Sequence, residues 1–200
     1  MNLDYKTYAI EAERLALLAG QELRKQRQSS LTVESKSQPR ELVTEADRAA
    51  ESIVVGGLQQ AFPEHGILAE EGVLTTQGKA SNDSEWLWII DPLDGTTNFV
   101  HGLPFYCVAI ALAFQGDPVV GVVHAPALGE TFIATRGGGA TRSYADGSTQ
   151  PLSVSSTNKF SSALLATGFS YNRNEVGRDD NSANIARVLP HCRDLRRLGS

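Results

Sequence analysis

The stretch "WIIDPLDGTTNFVHG", residues 88–102, sets two carboxylates, Asp91 and Asp94, into a turn directly after an apolar run. Pro92 fixes its own φ and removes a backbone donor, which stiffens the exit from the run. With Asp94 turned back toward Asp91, the carbonyl of Leu93 lies between them. Three oxygens on one short turn suit a hard divalent cation such as Mg²⁺. Gly95 then permits close backbone approach. "TTNF" brings hydroxyls and the unpaired N–H groups of a helix's first turn, which attract an anion. The plainer reading is a capped Asp-Gly turn and nothing more. A lone D-x-x-D-G favours that plainer reading; the strand, both acids and "GTT" together favour a metal and anion site.

Two further acidic features stand upstream. "GILAEEG" ends an apolar run in Glu70 and Glu71. Adjacent glutamates commonly face solvent, but one at a strand end can also share a cleft with Asp91 and hold a water for attack. "TEAD" places Asp47 three residues after Thr44, the spacing of a capping box that opens a helix. If that helix start lies beside "GTT", Asp47 can also accept a hydrogen bond from Thr96.

These groups need elements to position them. Tyr5, Tyr8, Ala9, Ala12, Leu15, Ala16, Ala19 and Leu23 recur at helical spacing, predicting an amphipathic first helix. "KQRQSSLTVESKSQPR" is polar and aperiodic, as a hairpin or loop is. A second helix is predicted from Thr44, with Ala46, Ala49, Ala50, Ile53, Val54 and Leu58 on one face and Pro63 past its end. Gly56 and Gly57 are expected to weaken its last turns. A buried strand is predicted over 87–90, delivering Asp91 at its carboxyl end. From there short β-rich runs alternate with turns: "FYCVAIALAF", "QGD", "PVVGVVHAP", "LGE", "TFIATR", "RGGGA" and "YADGST". That texture predicts antiparallel hairpins. The expected fold class is α+β, with two helices on one face of a largely antiparallel sheet. The texture changes near Pro151, which divides the chain into an α+β domain over 1–150 and the start of an α/β domain over 151–200. "SSALLATGF", "NSANIARVLPH" and "CRDLRRLGS" read there as strand, short helix and strand.

Composition narrows the classes of function. The 200 residues are 41% hydrophobic and 20% charged, as in an ordinary globular chain, with a net charge of −5. An acidic balance leaves no basic footprint for nucleic acid and no polybasic arm for a membrane. No apolar run approaches the length of a membrane span. Cys107 and Cys192 lie far apart and match no metal or redox spacing, and the N-terminus has no signal-peptide pattern. Both features point to a reducing, cytoplasmic setting. The four histidines form no triad or zinc pattern, and His101 and His124 read as structural or surface groups. Arg196 and Arg197 read as a solvated strand end. "RGGGA" lacks the helical context of a nucleotide-binding glycine motif.

In this order and at these separations, "ELVTEADRAAE", "ILAEEG" and "WIIDPLDGTTNFVHGLPFYCVAIAL", supported by "GVVHAPALGETFIATRGGGA", resemble the inositol monophosphatase family of lithium-sensitive, magnesium-dependent phosphatases. The resemblance implies a layered α-β-α-β-α sandwich, here with an incomplete C-terminal α/β layer. It implies two or three Mg²⁺ ions held by Glu70, Asp91, Asp94 and the Leu93 carbonyl. Glu70 and Leu93 to Thr96 would also contact the substrate, with the Gly95 and Thr96 amides on the phosphate. Glu70 would orient the attacking water, and Asp47 would pair with the Thr96 hydroxyl, making Glu70, Asp47 and Thr96 the catalytic groups. "LLATGFSYNR" would lie near the site.

The implied activity is hydrolysis of a small-molecule phosphate monoester, inositol 1-phosphate first, by magnesium-activated water. Fructose 1,6-bisphosphate, histidinol phosphate and nucleotide phosphates are the alternatives, and the full-length protein would be a homodimer. One departure stands out. The family's "WD" motif, whose aspartate ligates metal, has no counterpart, since Trp86 and Trp88 both precede "DPLDG". The chain therefore reads as the N-terminal two thirds of such a phosphatase, with a non-catalytic metal-binding or interaction module as the contrasting expectation.

Overall fold

A computed structural model describes residues 5–28, 33–35, 42–69, 72–74, 84–169 and 180–199. Helix α1 spans Lys6–Gln26 and α2 spans Glu45–Ala61. Both pack against one face of a sheet whose strands are β3 (Gly66–Ala69), β4 (Gly72–Leu74), β5 (Trp86–Asp94), β6 (Cys107–Phe114), β7 (Asp117–Ala125), β8 (Glu130–Thr135), β9 (Gly139–Tyr144) and β10 (Thr149–Leu152). The order across the sheet is β10-β9-β8-β7-β6-β5-β3-β4. Every pairing is antiparallel except β3 with β5. The expected helices on a largely antiparallel sheet are thus present. Two short strands, β1 (Val33–Ser35) and β2 (Leu42–Thr44), pair antiparallel ahead of α2; β1 falls within the polar stretch read as a hairpin or loop and β2 just past it.

The helices form where the pattern predicts, and their contact explains a pair of glycines. A Cβ on Gly57 would lie 2.2 Å from a Leu15 methyl, so Gly57 lets α2 close onto α1. The helix runs through both glycines to Ala61, and the close approach at Gly57 offsets its cost in helix propensity. Gly20 plays the same part toward β7, where a Cβ would come within 2.4 Å of the His124 ring.

Strand β5 corrects the expectation of a buried run over 87–90. It extends to Asp94, and its side chains alternate: Trp88 is fully buried while Ile89 is 42% exposed. Only the helix-facing side of the sheet is covered by α1 and α2, so a period of two selects which residues enter the core. At one end of that core Tyr8, Phe62, His65, Trp86 and Trp88 form a continuous ring cluster, with His65 and Trp86 stacked 5.4 Å apart. The buried Trp88 indole Nε1 donates to His65 Nδ1 at 3.1 Å, which satisfies both polar atoms. Burial pushes the His65 pKa down. His124, also buried, shares a 2.9 Å hydrogen bond with the Thr131 hydroxyl, and burial lowers its pKa too.

Turn chemistry follows the sequence. Gln115 and Gly116, both at positive φ, close the β6–β7 hairpin, and Arg136 to Gly138 of "RGGGA" make the turn between β8 and β9. After β10 the chain forms β11 (Leu164–Ala166), α4 (Ser182–Val188) and β12 (Asp194–Arg196), with β11 and β12 parallel. This is the strand, helix and strand expected of the last fifty residues. Among the described residues no helix is long and apolar enough to cross a membrane.

Candidate functional site

The site grows from one irregularity in β5. Asp91 pairs with Ala109 and Asp94 with Cys107, and the register shifts between them. Two residues, Pro92 and Leu93, are therefore accommodated in a bulge, a device that re-aims side chains at a strand end. The Leu93 amide donates to Asp91 Oδ1 at 3.2 Å, folding the acid over the turn. The Cys107 thiol lies 3.8 Å from Asp94 Oδ2. Gly95 follows at φ 92°, ψ 35°, a left-handed conformation that disfavours any side chain, and it starts helix α3 (Thr96–Val100). The first bond within that turn runs from the Phe99 amide to the Gly95 carbonyl at 2.9 Å. The far end is held by α1, where the Arg27 guanidinium donates to the Gly102 carbonyl and lies over the Tyr106 ring.

Helix α2 begins beside this turn. Thr44 caps it in a complete capping box: its hydroxyl accepts from the Ala46 and Asp47 amides and donates to Asp47 Oδ2 at 2.6 Å. The Thr44 amide donates to the same Oδ2 at 2.8 Å. With Oδ2 so engaged, Asp47 Oδ1 points across to Thr96, whose hydroxyl lies 3.2 Å away and 3.1 Å from the Leu93 carbonyl. Asp47 is only 3% exposed. Cap and site are therefore the same residue: one carboxylate oxygen starts the helix, the other reaches the turn.

Of the residues singled out from the sequence, Asp47, Asp91, Leu93, Asp94, Gly95 and Thr96 are brought together. Glu70 lies outside the described residues. The strand before it, β3, runs parallel to β5 and ends with Ala69 paired to Ile90. The chemistry of the turn fits Mg²⁺, which takes hard oxygen donors, one or two carboxylates at a time, and completes its shell with water and phosphate. Asp91, Asp94 and the Leu93 carbonyl are such donors. Among the described residues no group of three His, Cys, Asp or Glu side chains is placed to hold a metal ion.

Facing Asp94 is a cleft of about 440 Å³, lined by Asp94, Ala166, Thr167, Gly168, Phe169, Arg197 and Gly199. Its size suits a small ligand. Ala166 to Phe169 of "LLATGFSYNR" thus border Asp94, as the family resemblance implied, while 170–173 lie outside the described residues. Arg197, expected as part of a solvated strand end, is exposed but borders the cleft. Asn98, Thr167 and Gly199 were not singled out beforehand. Their contribution depends on a contact between segments about a hundred residues apart, for which local spacing carries no signal.

The family model described as the inositol monophosphatase family matches residues 4–200. The chain belongs to the inositol monophosphatase family. It is 42% identical over 160 residues to inositol monophosphatase 2 of Solanum lycopersicum, covering 80% of this chain and 58% of that one. It is 40% identical over 162 residues to the Nus factor SuhB of Pseudomonas aeruginosa, covering 80% and 57%. The solved inositol monophosphatase from Anabaena (Nostoc) sp. superposes with a TM-score of 0.82 at 38% identity, covering 99% of this chain and 69% of that one. The fold is therefore that of the family, and the chain spans under three fifths of the length of these curated relatives.

Proposed function

We propose that this chain carries a phosphomonoesterase site hydrolysing inositol 1-phosphate to inositol and phosphate. The observation that carries the proposal is the Thr96–Asp47 hydrogen bond beside the Asp91–Asp94 turn, joining residues 49 apart in sequence. Glu70, Asp91, Asp94 and the Leu93 carbonyl would hold Mg²⁺, which when bound supplies charge neutralisation for the phosphate and acidification of the attacking water. The chain's own groups do the remaining work. The Thr96 hydroxyl donates to Asp47 Oδ1 and to the Leu93 carbonyl, which leaves its oxygen free to accept a hydrogen bond from water. A proton leaving that water passes to Thr96 as the hydroxyl proton passes to the Asp47 carboxylate. Asp47 is pinned by Thr44, so this direction is fixed before substrate arrives. The Gly95 and Thr96 amides are offered to the phosphate oxygens at the start of α3. The alcohol half of the substrate enters the cleft between Asp94, Thr167 and Arg197.

Inositol phosphate is favoured because relatives near 40% identity carry inositol monophosphatase names. Fructose 1,6-bisphosphate, histidinol phosphate and nucleotide phosphates share the same reacting group and are the competing substrates. The reading also assigns residues 1–150 and 151–200 to separate domains, gives lithium sensitivity and a homodimer, and places the protein in the cytoplasm, where the thiols of Cys107 and Cys192, neither in a disulfide, are stable. The test is phosphate release from each of these monoesters by the chain in Mg²⁺, with and without Li⁺. Magnesium-dependent, lithium-inhibited release, fastest with inositol 1-phosphate, is expected. No magnesium-dependent release from any of them would overturn the proposal.

A further inference from the structure

We infer that Asn98 is a positioning residue that fastens the 197–199 wall of the cleft to the phosphate-binding turn and thereby sets how tightly the alcohol half of the substrate is held. This rests on the functional reading above and deepens it. Asn98 stands two residues beyond Thr96, on α3, and is 5% exposed. Its side-chain amide nitrogen spends both protons on carbonyls from different parts of the chain: Phe105 at 2.6 Å and Leu198 at 2.7 Å. Leu198 lies between Arg197 and Gly199, and both border the cleft opposite Asp94. The Asn98 carbonyl in turn accepts from the Leu103 amide at 2.9 Å, so the residue is fixed at the backbone as well. An amide is required here because two carbonyls face one group, and only a nitrogen with two protons answers both.

The approach from the other side agrees. Gly199 has φ +94°, and a Cβ on it would meet the Arg197 guanidinium and, at 2.6 Å, the Asn98 amide nitrogen. A side chain there would push the amide off Leu198. The remainder of the wall is tied to this segment. The Thr167 amide donates to the Arg196 carbonyl at 2.9 Å, and Asn181 donates to the Thr167 hydroxyl at 2.8 Å and the Gly168 carbonyl at 2.9 Å. Displacement at Leu198 therefore carries to Thr167. The Asn98 side chain spends its hydrogen bonds on Phe105 and Leu198 rather than on Asp47 or Thr96, so its effect falls on substrate grip. A shift of about 1 Å in a cleft wall is enough to weaken positioning substantially.

The test uses Asn98→Asp, which keeps the volume but sets an acceptor against two carbonyls, and Gly199→Ala, which attacks the same bond from the opposite side. Steady-state hydrolysis of inositol 1-phosphate in Mg²⁺ is expected to show KM raised about tenfold in each, with kcat within about threefold of the parent. The double variant is expected to be no worse than the poorer single one, because both break one contact. Hydrogen exchange is measured alongside, and amides of 194–199 are expected to exchange faster in both variants while those of α1 do not. Unchanged exchange at 194–199, or a fall in kcat at unchanged KM, overturns the inference. If Asn98→Asp does not fold, Gly199→Ala decides by the same criteria. A parent chain that releases no phosphate from any monoester defeats the functional reading instead, and the exchange result still decides whether Asn98 fastens the wall.

Discussion

The region through β10 and the region after it face each other across one cleft, yet they are built on different terms. The first buries a continuous core from α1, α2 and the sheet, with Leu15, Leu58, Trp88, Ile110 and Leu112 at or near zero exposure. The second contains no buried residue among those described from 151 to 199, and Phe160, Leu164, Leu189 and Leu198 are each exposed by more than two fifths. Tight packing in the first region fixes β5 and α2, and so fixes the turn and its acids to within the tolerance chemistry demands. Among its described residues the second region shows no such core, and its wall is tied to the turn by hydrogen bonds such as that of Asn98 to Leu198. The groups proposed for chemistry sit on the side with the buried core; the groups proposed to contact the alcohol sit on the side whose described residues are all exposed or half-buried.

This contrast can be broken or sharpened by substitution. The largest effect is expected from Trp88→Ala, which opens a cavity and removes the indole donor to His65 Nδ1. A loss of about 3–5 kcal/mol in denaturant unfolding is expected, and a loss under 1 kcal/mol would show that the core is not what holds the turn. Thr44→Ala comes next. It removes the cap and two of the contacts that orient Asp47, so about 1 kcal/mol of stability is expected to go. The rate of phosphate release should fall with it; a full rate despite the lost stability would separate the cap from the site.

Acidification ranks below these. His65 and His124 are held below the ordinary value of 6.5 by burial, so the fold favours their neutral forms. As pH falls below 6.5 the unfolded chain takes up protons that the folded one does not. Their contribution is therefore present above pH 6.5 and is lost progressively toward their lower folded values. Thermal melting at pH 7.5 and pH 5.5 should show the drop, reduced when His65 is replaced by Phe. A melting temperature that rises on acidification would contradict the assignment. Smallest of all, Leu164→Ala is expected to change stability by less than about 0.5 kcal/mol. A cost comparable to that of Trp88→Ala would mean that the second region carries a core after all.

Much of the first region was legible in the sequence because its information is local. The "TEAD" spacing encodes the capping box, helical periodicity encodes α1 and α2, and "DPLDGTT" encodes strand exit, glycine and helix start within a few residues. The Asp47–Thr96 contact was legible only as a condition, namely that the helix start lies beside the turn, and the fold meets that condition. What was not legible depends on register and on distant closure. The one-sided burial of β5 follows from which face the helices cover. Gly57 and Gly20 look like weak points in a helix until Leu15 and His124 are seen against them. Asn98 looks like one more polar residue after two threonines, because its partner Leu198 is a hundred residues away. Glu70, singled out for the metal and the water, lies outside the described residues.

Phosphate release from inositol 1-phosphate in Mg²⁺, compared between the chain and its Asp91→Asn variant, tests the central claim most directly. The turn is proposed to act through the charge of Asp91, and the substitution keeps its shape. The rate is therefore expected to fall by at least about 100-fold while the melting temperature stays close to that of the parent. Equal rates in the two proteins would contradict the account.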